Sequence, residues 1–201
     1  LIPLVIHALK LYFNLNLSSR HSKRELALYH KKVPSHVTIV SWASKFAYYF
    51  SLLYNNDFKS FSIHVHTWLI DETAIKINNK IFHLFTVLDP NSRFVIAWYL
   101  SPFEDLLSSI TLLKLALKFT KSKPVNIVSD HAQNFQHAVF DVFGTNVNYF
   151  TVSLYDNSPF SNNILERSYS TLKQPFKIRK NPHSYFSDFA YVSIYILIYN
   201  F

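Results

Sequence analysis

The chain has 201 residues, of which 49% are hydrophobic, enough for one sizeable core or a core with a small module beside it. Cysteine is absent, which excludes a disulfide framework and a thiolate zinc site. Lys and Arg number 20 against 12 Asp and Glu, a net charge of +8; that balance suits a phosphate backbone, and equally any basic soluble protein.

Neither end reads as a membrane span. The start, "LIPLVIHALKLYF", is interrupted by Pro3, His7 and Lys10, and it lacks the basic leader and small-residue cleavage site of a signal peptide. The end, "FAYVSIYILIYNF", is shorter than the roughly 20 residues a spanning helix needs. Both are expected to be core helices. Methionine is absent even at position 1, so the chain is either a piece of a longer protein or starts from an unusual initiation codon; both stay open.

Residues 1–56 show helical spacing and no strand alternation. Leu4, Val5, Ala8, Leu9 and Tyr12 define a first helix. "SSRHSKRELALYHKK" predicts a second, with Ser22 and Glu25 as its capping box. Pro34 breaks it, and Ser35 can cap a third, "HVTIVSWASKFAYYFSLLY". A short helix, a break and a longer helix carrying Thr38, Ser41, Trp42 and Lys45 outline a helix-turn-helix; a plain helical hairpin fits the pattern equally well.

After the polar "NNDFKSF" the period changes. "IHVHTWLIDETAIKI", "KIFHLFTVLD" and "RFVIAWYLS" read as three strands with turns at Asn78-Asn79 and Pro90-Asn91, an antiparallel meander. "EDLLSSITLLKLALKFT" is an amphipathic helix that Lys123-Pro124 is expected to stop. "VNIVSD" is short and apolar, as a buried parallel strand is. "NFQHAVFDVFG" is a helix closed by Gly144, the single glycine, and "NYFTVS" is a fifth strand. Ser158 and Pro159 can open the next helix, which runs through Glu166 and is loosened by Pro175. A last helix covers about 184–200. The order βββαβαβα predicts an α/β domain with the mixed five-stranded sheet of the ribonuclease H-like fold at 61–201, preceded by a small all-helical module at 1–56.

Three acids stand out. Asp71 lies inside the first strand, Asp130 ends the fourth, and Glu166 lies on the helix "SPFSNNILERSYSTLK". In this fold the first and fourth strands are neighbours, so Asp71 and Asp130 meet where open α/β sheets place their sites. Two carboxylates on adjacent strands and a third on a helix can hold two hard divalent cations; three unrelated surface acids would share the spacing. Asn163, Glu166 and Lys173 fall on one helix face, which suits a site for an anionic strand, and equally a solvated surface helix.

These residues together resemble a DDE transposase or retroviral-type integrase, whose catalytic core closes on an "SP…N…E…LK" helix. Residues 131–165 separate the last two acids, in keeping with that resemblance. "W..DET.IKI" with "VLD", "YLS", "V.SD" and "NN.LE" is most similar to the insertion-sequence-6 family of prokaryotic transposases. The similarity covers nearly the whole chain, and residues 11–46 sit where that family has its helix-turn-helix. His131 after Asp130 and "RSYSTLK" after Glu166 depart from the family's usual residues.

The resemblance implies that Asp71, Asp130 and Glu166 are a catalytic triad holding two Mg²⁺ or Mn²⁺ ions, and that Lys173 contacts DNA near the cut. One ion would activate water or a DNA 3′-hydroxyl and the other would stabilise the leaving oxygen. Arg167, Lys177, Arg179 and Lys180 are expected to hold phosphates, and Thr38, Ser41 and Lys45 to reach a groove. The expected partners are double-stranded DNA, both transposon ends and target, and further copies of the chain as a dimer or higher oligomer; no membrane is expected. The expected location is the cytoplasm of a prokaryote, at the nucleoid. Two other readings are a catalytically inactive DNA-binding transposon remnant and a ribonuclease H-like nuclease.

Overall fold

The computed structural model describes residues 2–57, 65–77, 80–130, 133–151, 170 and 185–200. The Asn78-Asn79 turn, the Ser158-Pro159 helix start and the helix around Glu166 lie outside these residues. The rest divides into two compact units.

The first unit contains helices α1 (Ile2–Leu9), α2 (Ser19–Tyr29) and α3 (His36–Asp57), together with the C-terminal helix α6 (Tyr185–Asn200). Past Leu9 the helix widens: Lys10–Asn14 is a π-helical segment, closed by the Leu15 N–H on the Lys10 carbonyl, and it buries three consecutive side chains, Leu11, Tyr12 and Phe13. Ser35 caps α3 as expected, its hydroxyl accepting the Thr38 N–H at 3.0 Å. Down one side of α3 run Ile39, Ala43 and Ala47, all fully buried at four-residue spacing. They share a core with Ala8, Leu26, Tyr191, Ile194 and Tyr195, so the last helix contributes side chains to the N-terminal core. A cap contributes about 1 kcal/mol, whereas one fully buried isoleucine contributes about 1.5–3 kcal/mol. Burial therefore holds α3 in place, and Ser35 sets where it begins.

The start of α2 differs from the expected capping box. Ser18 is the N-cap, accepting the His21 N–H at 3.2 Å. Ser22 lies one turn inside the helix and is fully buried. Burial of Ser22 with Leu26 on the inner face of α2 takes its hydroxyl away from the helix start, and Ser18 caps instead.

The second unit is a five-stranded sheet in the order β3-β2-β1-β4-β5. Strands β1 (Thr67–Ile77), β2 (Lys80–Leu88) and β3 (Val95–Ser101) form an antiparallel meander. β4 (Asn126–Ser129) lies parallel to β1, and β5 (Asn148–Thr151) parallel to β4. With α4 (Leu106–Thr120) between β3 and β4, and α5 (Gln133–Phe143) between β4 and β5, this is the ribonuclease H-like arrangement. Trp68, Ile70, Phe85, Val87 and Ile96 from the sheet pack with Leu112, Leu113 and Ala116 of α4 and Phe135, Ala138, Val139 and Phe143 of α5. Trp68 meets the ring of Phe143 edge-on at 5.9 Å.

Two helix ends show how local chemistry and conformation divide the work. α5 closes on Gly144, at φ 61°, whose N–H bonds the Phe140 carbonyl at 2.8 Å. A Cβ there would meet nothing within 4 Å, so the left-handed backbone is the reason for glycine. α4 ends before the expected Lys123-Pro124 stop: Lys121 takes the same left-handed conformation at φ 57° and bonds Leu117 at 2.9 Å. A lysine gives no sequence signal for that geometry.

Candidate active site

Asp71 and Asp130 come together by register. The β1–β4 ladder pairs Thr67 with Asn126, Trp68 with Ile127 and Leu69 with Val128. Asp71 stands two residues beyond Leu69 and Asp130 two beyond Val128, so the two strands deliver both acids to the same level at the carboxyl end of β4. Both are half-buried. The pocket they line is completed by Glu72, Phe85, Glu104, Ser109, Asn134 and Phe135. The Asp71 Oδ1 accepts its neighbour's N–H, from Glu72, at 2.8 Å.

Four carboxylates therefore line one pocket in a chain that has 12 acidic residues and a net charge of +8. That concentration against the overall sign makes the pocket a focus for cations. An all-oxygen donor pair such as Asp71 and Asp130 suits a hard divalent ion.

Glu72 and Glu104 were not singled out in the sequence. Glu72 Oε1 lies 2.6 Å from His83 Nδ1, and Glu104 Oε2 lies 3.8 Å from the same nitrogen. Their ligand atoms all fall within 4.8 Å of one another, so this group too has donors a cation can use. Burial pushes the Glu72 carboxyl above its ordinary range, more strongly than the His83 hydrogen bond pulls it down. Only the adjacency of Glu72 to Asp71 was visible in the sequence. The cluster itself needs the β1–β2 register, which pairs Ala74 with His83 and so brings that ring beside Glu72.

Asp130 has a support of its own. The Ser129 hydroxyl lies 2.6 Å from the Asp130 carbonyl oxygen, and the Tyr149 hydroxyl lies 2.5 Å from Ser129 Oγ. Burial, together with the nearby Asp130 charge, pushes the Tyr149 phenol up.

Thr38, Ser41 and Lys45 lie on α3 away from its buried Ile39–Ala43–Ala47 stripe. Ser41 and Lys45 are exposed, and the Thr38 hydroxyl sits 2.8 Å from Ser35 Oγ. The densest exposed cations of this unit are on and after α2: Arg20, Lys23, Arg24, Lys31 and Lys32, none paired with a described carboxylate. Glu166, Arg167, Lys173, Lys177, Arg179 and Lys180 lie outside the described residues. Among the described residues no helix is long and apolar enough to cross a membrane.

A ribonuclease H-like sheet with one aspartate inside its central strand and a second just past the end of the neighbouring parallel strand is the framework of a polynucleotidyl transferase domain. Residues 65–196 match the family model described as a DDE domain, that of the IS240 transposases, and the chain belongs to this DDE transposase family. No curated protein sequence matches it. Among solved structures it is similar to the HTLV-2 integrase catalytic core domain in complex with magnesium, in its trimeric form, at 20% identity and a TM-score of 0.42 over 54% of this chain and 66% of that one. It is similar also to a chain of the simian T-cell lymphotropic virus intasome in complex with the PP2A regulatory subunit B56 gamma, at 18% identity and a TM-score of 0.46 over 92% of this chain and 66% of that one. The catalytic core domain of BIV integrase gives 17% identity and a TM-score of 0.45 over 65% and 83% of the two chains. The chain spans just under two thirds of the first of these viral chains.

Proposed function

We propose that the chain is a DNA transposase that cleaves a DNA strand and joins the resulting 3′-hydroxyl to a target. The observation that supports this most is the meeting of Asp71 and Asp130 in one acidic pocket of a DDE domain. Asp71, Asp130 and Glu166 would hold two Mg²⁺ or Mn²⁺ ions. When bound, such ions neutralise charge on a phosphate and activate an attacking hydroxyl. The residues do the rest: the three carboxylates fix the ions' places, and Lys173, with Arg167, Lys177, Arg179 and Lys180, holds the strand by its phosphates. No covalent protein–DNA link is needed.

In this reading residues 1–56 recognise DNA and residues 61–201 carry the chemistry, with the last helix lending Tyr191, Ile194 and Tyr195 to the core of the recognition module. Thr38, Ser41 and Lys45 would reach a groove. The exposed cations of α2 would hold the flanking backbone, since phosphate contacts position and base contacts specify. The partners are double-stranded DNA and further copies of the chain, and the setting is the cytoplasm of a prokaryote, at the nucleoid.

The test is to incubate the protein with Mn²⁺, DNA carrying transposon ends, and a plasmid, and to look for joined products. Wild type should join, and Asp71→Asn, Asp130→Asn and Glu166→Gln should each abolish joining while DNA is still bound. Binding without joining by wild type would point to an inactive remnant; joining by any of the three variants would remove that residue from the triad.

A further inference from the structure

We infer that Ser129 and Tyr149 are positioning residues for Asp130, acting through a one-way hydrogen-bond chain that ends on the Asp130 carbonyl. The direction follows from counting hydrogens. Ser129 is fully buried, and its hydroxyl has a single hydrogen. The Asp130 carbonyl oxygen, 2.6 Å away, can only accept, so that hydrogen goes to Asp130. The Tyr149 hydroxyl is 2.5 Å from the same Ser129 oxygen, which has only lone pairs left to offer. Tyr149 must therefore donate. The chain reads Tyr149 O–H to Ser129 Oγ, then Ser129 O–H to Asp130 C=O.

Strand register makes the chain possible. Tyr149 pairs with Ile127, and Ser129 with Thr151, so Tyr149 and Ser129 share a sheet face two residues apart. Two residues of strand span about 6.6 Å, at roughly 3.3 Å each, which is within reach of a tyrosine side chain laid along the neighbouring strand. The place matters as well. β4 ends at Ser129, so the ladder no longer fixes the backbone at Asp130. The two hydroxyls take over there, on the peptide that carries a carboxylate of the pocket. Outer partners of this kind commonly control how well a ligand binds its ion without touching it.

The inference rests on the reading of Asp130 as a metal ligand, and its test separates the two. Mn²⁺ binding to the full chain is measured by electron paramagnetic resonance, without DNA, for wild type, Asp130→Asn, Tyr149→Phe, Ser129→Ala and the double variant Tyr149→Phe/Ser129→Ala. Tyr149→Phe keeps the ring and its packing and removes only the donor. The expected result is a loss of Mn²⁺ affinity of about tenfold in each single variant, the low end of the range for outer partners. The double variant should lose little more than either single one, because both break the same chain. Thermal melting shows whether each variant is folded. Asp130→Asn losing affinity while Tyr149→Phe and Ser129→Ala keep it, even with lowered melting temperatures, would leave Asp130 as a ligand and overturn the positioning role. Fully additive losses in the double variant would also overturn the chain. Unchanged affinity in Asp130→Asn would overturn the ligand reading and the inference with it.

Discussion

Asp71 and Asp130 each stand two residues past the paired Leu69 and Val128 of the parallel β1–β4 ladder, and both line one pocket. This shared offset makes the two carboxylates one unit. Asp71→Asn and Asp130→Asn should each lower Mn²⁺ affinity at least tenfold, and the double variant should fall well short of the product of the two. Calorimetric titration of Mn²⁺ measures this, and independent losses would show that the two residues serve separate ions.

Glu72 should be a source of instability at neutral pH. Its carboxyl is raised in the folded state, chiefly by burial. A group raised on folding supports the fold fully below its unfolded pKa, and that support is lost as pH rises through the folded value. Glu72→Gln keeps an oxygen to accept from His83 and removes the buried charge. The variant should melt at a higher temperature than wild type at pH 7–8, with the gain fading toward pH 4. A gain that is equal at both pH values would show that charge is not the cause.

Asp105 should behave in the opposite way. It caps α4, its Oδ1 accepting the Ser108 N–H at 2.8 Å, and the Ser108 side chain and backbone N–H hold its carboxyl below the ordinary range. A depressed carboxyl contributes stability above its unfolded pKa, and the contribution is lost as pH falls through the folded value. Asp105→Ala should cost about 1 kcal/mol at pH 7 by denaturant unfolding. The difference from wild type should shrink in acid. A constant difference down to pH 2 would count against the cap as an ionised acceptor.

The cations make separable predictions in salt. Replacing Arg20, Lys23 and Arg24 with alanine should lower the slope of log affinity against log salt by up to about 2.7, at roughly 0.9 per phosphate contact on duplex DNA. Lys173→Ala should lower it by about one unit and leave Mn²⁺ affinity unchanged. A slope equal to wild type in the α2 variant would move the phosphate-facing surface off that helix.

Much of this was legible in the sequence because it is local. The N-terminal helices, the strand runs of the sheet, the Ser35 cap and the Gly144 helix end each depend on residues close to one another in the chain. Asp71 and Asp130 were legible because each sits in, or directly after, an apolar run of strand character. The expected Ser22 cap of α2 gave way to Ser18, because Ser22 is buried against the core. Lys121 adopted a left-handed conformation that no residue type announces outside glycine and asparagine. The Glu72–His83–Glu104 group and the Tyr149–Ser129–Asp130 chain could not be read from spacing at all. Each joins side chains on different elements, and pairing register sets such distances. Which segments become strands and helices, and which of them carry acids, follows from the order of residues, because hydrophobic period is a property of a single segment. Which acids share a pocket, and what supports them, follows from the fold, because those are distances between segments.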